Sequence, residues 1–213
     1  IYQATNVAMI SHSQRSVCLS PGVFMKIWRL VVLVVMQQIA MSASATEEPE
    51  WILLEKQGDI ELRYYEPVVQ ARTLMPEESK TSSGFRTLAG YIFGGNVEEQ
   101  EIAMTAAVEQ SMDGENSYMA FYMPAQYSLD SLPEPDDSRV TLHTLPARTV
   151  AVITFSGWAR EKVVEEKTRD LLAALSARGI VPEGEALLAQ YNPPWTFPWN
   201  RRNEVIVEIA AQQ

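Results

Sequence analysis

The sequence predicts an α+β fold made from a duplicated β-α-β-β unit, giving one curved antiparallel sheet system with two helices. Three observations carry the prediction. Stretches rich in Tyr, Val and Thr precede each of two amphipathic helical stretches, each helix stops at glycine, and two further strand candidates follow each helix in the same order. At 213 residues with 46% apolar content, the chain can bury one sizeable core behind a processing segment, whereas two domains would be cramped.

Taken in order, residues 1–24 carry no pattern and form an upstream segment whose translation is uncertain. Residues 25–45 read as a signal peptide, with Lys26 and Arg29 ahead of the apolar run Leu30 to Val35 and Ala43-Ser44-Ala45 before Thr46. Gln37 and Gln38 break that run well short of the roughly 20 residues needed to span a bilayer. The expected mature chain is a single domain over residues 46–213, periplasmic or secreted, with no stable membrane insertion after cleavage. Cys18, the only cysteine, would be removed, which leaves no thiol for a disulfide, a covalent cofactor attachment or a nucleophile.

Residues 60–74 favour a strand interrupted at Glu66-Pro67. After Ser82-Ser83-Gly84, the residues Phe85, Leu88, Ala89 and Ile92 fall on one helical face before Gly94-Gly95-Asn96 ends the helix. Strands are expected over Glu101–Gln110 and Tyr118–Met123, then an exposed crossover loop over Ser128–Ser138. The second half repeats the plan. Strands at Val140–His143 and Thr149–Phe155 flank a turn at Pro146, and a helix runs from about Ala159 to Arg178, where Gly179 stops it. Its apolar stripe is Val164, Leu171, Leu172 and Leu175, and strands at Ala186–Tyr191 and Asn203–Ile209 close the pattern.

Three phrases stand out against this plan: Gly90-Tyr91-Ile92-Phe93-Gly94-Gly95-Asn96, Ile102-Ala103-Met104-Thr105-Ala106-Ala107-Val108, and Tyr191-Asn192-Pro193-Pro194-Trp195 running on to Arg201-Arg202-Asn203-Glu204-Val205. With Phe155-Ser156-Gly157 between them, they resemble the SOUL haem-binding protein family over roughly residues 51 to 210. The resemblance implies that the sheet forms a distorted antiparallel barrel with the two helices packed against it. It also implies non-covalent haem (heme) held in a hydrophobic cleft beside the first helix.

Residue by residue, the resemblance places Phe85 and Ala89 at positions that are cleft-lining methionines in one branch of the family, with Leu88 and Ile92 nearby. The branch with a haem-ligating histidine has it in the first strand, at the position of Tyr64. A tyrosinate ligates ferric iron only if its pKa of about 10 is lowered. His143 is the alternative ligand, and haem binding without a protein ligand is a third outcome. Each candidate also reads as ordinary structure: the helix residues as core, Tyr64 as packing at the sheet edge, His143 as an exposed strand histidine. Trp195 in the Pro-rich loop adds aromatic surface. Arg201 and Arg202 match propionates bidentately, or else order the loop through backbone carbonyls or Glu204.

No catalytic constellation is visible: no thiol remains, no nucleophile elbow, no metal-binding spacing, and the acidic pairs lie in polar stretches. Of the 17 basic residues, three fall before Thr46, leaving 14 against 27 acids. So acidic a chain has no basic cluster for nucleic acid and disfavours an anionic membrane. The expected function is an exported, monomeric, non-enzymatic protein that carries or buffers haem or another tetrapyrrole. The alternatives are a binding module for other amphipathic small molecules, with cationic or neutral ligands favoured, and a haem-modifying enzyme.

Overall fold

The computed structural model describes residues 46–75, 81–111 and 117–210. The expected leader over 25–45, the segment 1–24 and Cys18 lie outside the described residues. Among the described residues, nine strands and two α-helices run in the order β1 (Trp51–Gln57), β2 (Ile60–Tyr65), β3 (Val68–Leu74), α1 (Thr81–Ile92), β4 (Val108–Ser111), β5 (Tyr118–Tyr122), β6 (Thr141–Leu145), β7 (Arg148–Phe155), α2 (Glu161–Ala177), β8 (Pro182–Gln190) and β9 (Asn203–Ile209).

All nine strands join one sheet in the order β1-β2-β7-β9-β8-β4-β5-β3-β6, with every pair antiparallel. The duplication expected from the sequence is visible in that order. Read outward from the β4–β8 contact, one side is β4-β5-β3-β6 and the other β8-β9-β7-β2. The two halves therefore exchange their leading strands: β2 pairs with β7 of the second half, and β6 with β3 of the first. The break at Glu66-Pro67 is the point where the chain leaves one side of the sheet for the other, since proline cannot donate to a ladder.

Alternation sorts the side chains. On one face, Val69, Ala71, Met119 and Phe121 pack under α1 with Leu88, Tyr91 and Ile92, while Ala151, Ile153, Val205 and Val207 pack under α2 with Val164, Leu171 and Leu175. Each Val, Leu, Ile, Met or Phe side chain among them contributes roughly 1.5–3 kcal/mol by leaving water. On the other face, Tyr65, Val150, Val152, Ala189 and Ile206 form a third buried cluster with Ala107. Among the described residues no α-helix covers that face, and its burial reflects the sheet curling over itself as a distorted half-barrel.

Four expectations need correction. β1 was not anticipated: its residues are all exposed and it pairs on one side only, so no clean alternation marks it. The expected strand over Glu101–Gln110 forms only from Val108. Ile102 and Ala107 are apolar because they are buried in two different clusters, not because they alternate on one strand. β8 starts at Pro182, four residues before the expected Ala186, across an irregularity in its pairing with β9. The crossover loop is not wholly exposed, because Leu132 is buried and the Pro133 carbonyl accepts the Tyr91 hydroxyl at 2.9 Å.

Candidate functional site

The first helix is stopped by backbone geometry. Gly94 sits at φ 97°, and a Cβ on Gly95 would stand 2.7 Å from the Gly90 carbonyl oxygen, so only glycine fits there. Asn96 then donates to the carbonyls of Tyr91 and Gln100 at 3.2 and 2.8 Å. The candidate residues on this helix separate into two sets. Leu88 and Ile92 are fully buried, with their contacts inside the core. Phe85 is 42% exposed, Ala89 half-buried and Phe93 68% exposed. These three recur at i, i+4 and i+8, an apolar strip along the helix flank. The Phe85 ring meets Phe121 edge-on, centroids 5.2 Å apart.

Neither candidate iron ligand stands on that strip. Tyr64 shares the Leu62 side of β2, between Ile52 and Thr149, and β2 lies in the part of the sheet that α2 covers. His143 pairs with Gln70 on β3, but Leu142 faces the α1 core, so the histidine points to the opposite face of the sheet. Its ring nitrogen lies 2.9 Å from the Thr141 hydroxyl, and burial followed by the Arg72 charge holds its pKa below the usual value.

The Pro-rich loop forms a separate surface. Trp195 is 82% exposed, and Phe197 stacks on Trp199 at 4.9 Å. Arg201 donates to the carbonyls of Thr196 and Pro194 and covers the Trp158 ring at 3.9 Å, while Arg202 pairs with Glu48 and Glu204. Of the two readings of these arginines, the one in which they order the loop is the one the geometry displays. The loop's contacts run to Gly157 and Trp158, just before α2, and not to α1.

Sequence reasoning missed a polar network on the inner face. Glu204, 1% exposed, receives both Arg63 terminal nitrogens at 3.0 and 3.1 Å and the Tyr191 hydroxyl at 2.7 Å. Glu109, 0% exposed, receives Tyr122 at 2.5 Å, Arg148 at 3.2 Å and Gln70 at 3.2 Å. Each buried carboxylate is thus neutralised by an arginine from the other half of the duplication. Although burial opposes charge, the carboxylates push both guanidinium pKa values above their usual range. Burial, then the neighbouring carboxylate, pushes the Tyr122 and Tyr191 hydroxyls well up, so both remain donors. The available signal was Arg63 and Arg148 placed within β-rich segments, where an inward arginine demands a buried acid.

Two clefts flank these elements. One, of about 460 Å³, is lined by Glu47, Glu48, Glu50 and Glu66 over Val69, Met123 and Pro124. The other, of about 540 Å³, lies between α2 and the strands β8 and β9. Among the described residues, no group of three or more His, Cys, Asp or Glu is placed to hold a metal ion, and no helix is long and apolar enough to cross a membrane.

The profile of the family described as SOUL heme-binding protein matches residues 46–208. The chain belongs to the SOUL heme-binding protein family. Among curated proteins, the mouse heme-binding protein 2 is 28% identical over 176 residues, which is 76% of this chain and 85% of that protein. Among solved structures, the EcmrR C-terminal domain aligns with a TM-score of 0.55 at 10% identity, covering 71% of this chain and 96% of that one. A hydrolase from Listeria innocua aligns with a TM-score of 0.50 at 10% identity, over 82% and 98% of the two chains. At those identities the structural matches speak for the fold alone. Within the SOUL fold, the α1 strip of Phe85, Ala89 and Phe93 is where the expected cleft would lie, and Tyr64, His143, Trp195 and Arg201 stand apart from it.

Proposed function

We propose that this SOUL protein holds haem or another tetrapyrrole non-covalently, as an exported carrier or buffer without turnover of its own. The observation that carries this reading is the apolar strip of Phe85 and Ala89 on α1 and Phe93 just past its end. A flat apolar macrocycle needs such a surface and one or more cations for its propionates. The strip fits the apolar face of the macrocycle, while Arg86 is turned a helix step away, towards Asp136, Asp137 and Arg139. With Tyr64 and His143 away from the strip, the residues fit a tetrapyrrole held by apolar contact, without a protein ligand to iron. Bound haem would bring the redox chemistry of its iron. The chain's own part is to cover one face of the ring and exclude water there. Export rests on the leader read in residues 25–45.

The test is a ferric haem titration followed by absorption and EPR, with Phe85→Asp, Tyr64→Phe and His143→Ala alongside. Saturable binding that Phe85→Asp weakens at least tenfold, with spectra unchanged by the other two variants, is the expected result. Loss of binding in Tyr64→Phe with no effect of Phe85→Asp would move the site to β2.

A second reading has its own observation. The cleft of about 460 Å³ presents four glutamates and no basic residue over apolar walls, which suits a cationic amphipathic molecule and repels propionates. Competition separates the two readings, because a cationic dye seated there would bind alongside haem and be lost in Glu66→Lys.

A further inference from the structure

The two helices of the duplication carry equivalent positions 80 residues apart. Phe85, Leu88, Ala89 and Ile92 on α1 correspond to Glu165, Thr168, Arg169 and Leu172 on α2, and the buried Tyr91 to the buried Leu171. The strands agree with this offset. Ala71 pairs with Phe121 in the first half and Ala151 with Val207 in the second; Phe121 in turn pairs with Val108, and Val207 with Ala186. One place in each half is therefore framed by three equivalent residues. In the first half they are Phe85, Phe121 and Val108, and the two rings touch. In the second half they are Glu165, Val207 and Ala186, and the missing side-chain volume is the cleft of about 540 Å³ between α2, β8 and β9.

From this equivalence we infer that the α2 cleft is a second seat for a tetrapyrrole-sized ligand, with Arg169 receiving its carboxylate end. The inference rests on the tetrapyrrole reading given above and adds a site to it. Its volume falls within the 300–1,000 Å³ usual for ligand pockets. Leu172, Ala186, Val205 and Val207 make the walls apolar, and the Thr168 hydroxyl is turned back onto the Val164 carbonyl at 2.8 Å, which leaves the threonine's methyl group to add to them. Arg169 is the one basic residue of the lining, is exposed, and forms no ion pair among the described residues. Two acids also stand at the rim, Glu165 and Glu185, the latter accepting the Ser111 hydroxyl at 3.1 Å. They repel a ligand charged around its whole edge and admit one whose anionic groups sit together at one end, as the adjacent propionates of a protoporphyrin do.

Metal-free protoporphyrin IX tests this without any contribution from iron ligation. The protein is titrated with it by fluorescence, together with Thr168→Trp, which fills the cleft from its half-buried wall position, and Arg169→Glu, an exposed change that should leave folding intact. Urea midpoints check that each variant folds. The expected result is two equivalents bound by the unaltered protein, one by Thr168→Trp, and a roughly tenfold weakening of one equivalent in Arg169→Glu, the size of a lost charge-assisted hydrogen bond. A single equivalent that survives both α2 variants and is lost in Phe85→Asp would overturn this inference and keep the α1 site. No saturable binding by the unaltered protein would overturn the tetrapyrrole reading itself.

Discussion

The two halves of the duplication have the same strands, the same helix placement and the same outward apolar layer, yet they differ where each helix meets its sheet. Aromatic rings close that place in the first half, and small or charged residues leave it open in the second. On the inner face the halves instead look alike, each holding one buried glutamate with an arginine donated by the other half. The lesson is that the duplicated fold requires the inner ion pairs in both copies, because they tie the halves together, while the outer grooves are free to diverge into ligand surfaces.

The largest effect should come from the shared feature. Glu109→Ala leaves the buried Arg148 guanidinium without its carboxylate and should lower stability by about 3–5 kcal/mol in urea unfolding, and Glu204→Ala should cost less because Arg63 keeps Glu61 at 2.6 Å. Replacing both partners, as in Glu109→Leu with Arg148→Met, should recover most of that loss. A single variant that loses under about 1 kcal/mol would show that the pairs do not join the halves.

The core under each helix should respond equally. Leu88 and Leu171 are both fully buried, so Leu88→Ala and Leu171→Ala should each cost about 2–5 kcal/mol, read from the same unfolding curves. A large inequality would mean that one helix is packed against the sheet only loosely.

Alkaline pH sharpens the comparison at a single position, because Tyr91 titrates and its counterpart Leu171 does not. Burial pushes the Tyr91 hydroxyl from 10.0 up to about 12. A raised folded-state pKa means that its contribution is fully present below about pH 10 and is lost as pH climbs towards 12, because the unfolded chain releases that proton first. Tyr91→Phe should therefore show a shallower fall in stability across pH 10–12 than the unaltered protein, measured by urea midpoints at stepped pH. An unchanged slope would assign the alkaline transition to the other tyrosines whose hydroxyls burial pushes up, Tyr65, Tyr118, Tyr122 and Tyr191.

The smallest effect is expected at His143. It is exposed, faces away from α1 and, among the described residues, has Thr141 as its one side-chain hydrogen-bond partner, so His143→Ala should change neither stability by more than about 0.5 kcal/mol nor the haem spectrum. A lost or shifted Soret band in that variant would place iron on the inner face.

Local pattern was enough for much of this protein. The spacing of Phe85, Leu88, Ala89 and Ile92, the stop at Gly94-Gly95 and the repeat of the same plan after Val140 identified two helices and a duplicated α+β fold, since periods of two and 3.6 residues are written along the chain. The same patterns named Phe85 and Ala89 correctly as residues on one helical face, and could not say that Leu88 and Ile92 turn wholly inward while Phe93 continues the exposed strip past the helix end. Residues 102–107 show the opposite case: their apolar run reads as a strand, because burial in two clusters leaves the same composition as burial in one.

What only tertiary structure decided is which distant elements meet. The exchange of β2 and β6 between the halves, the pairing of Arg63 with Glu204 and of Arg148 with Glu109, and the open cleft beside α2 all join residues far apart in sequence. The physical reason is that alternation states which face a side chain occupies and nothing about its partner. The sequence by itself determined the elements, their inward faces and the family resemblance; the closing of the sheet determined which charges are buried together and which groove stays empty enough to receive a ligand.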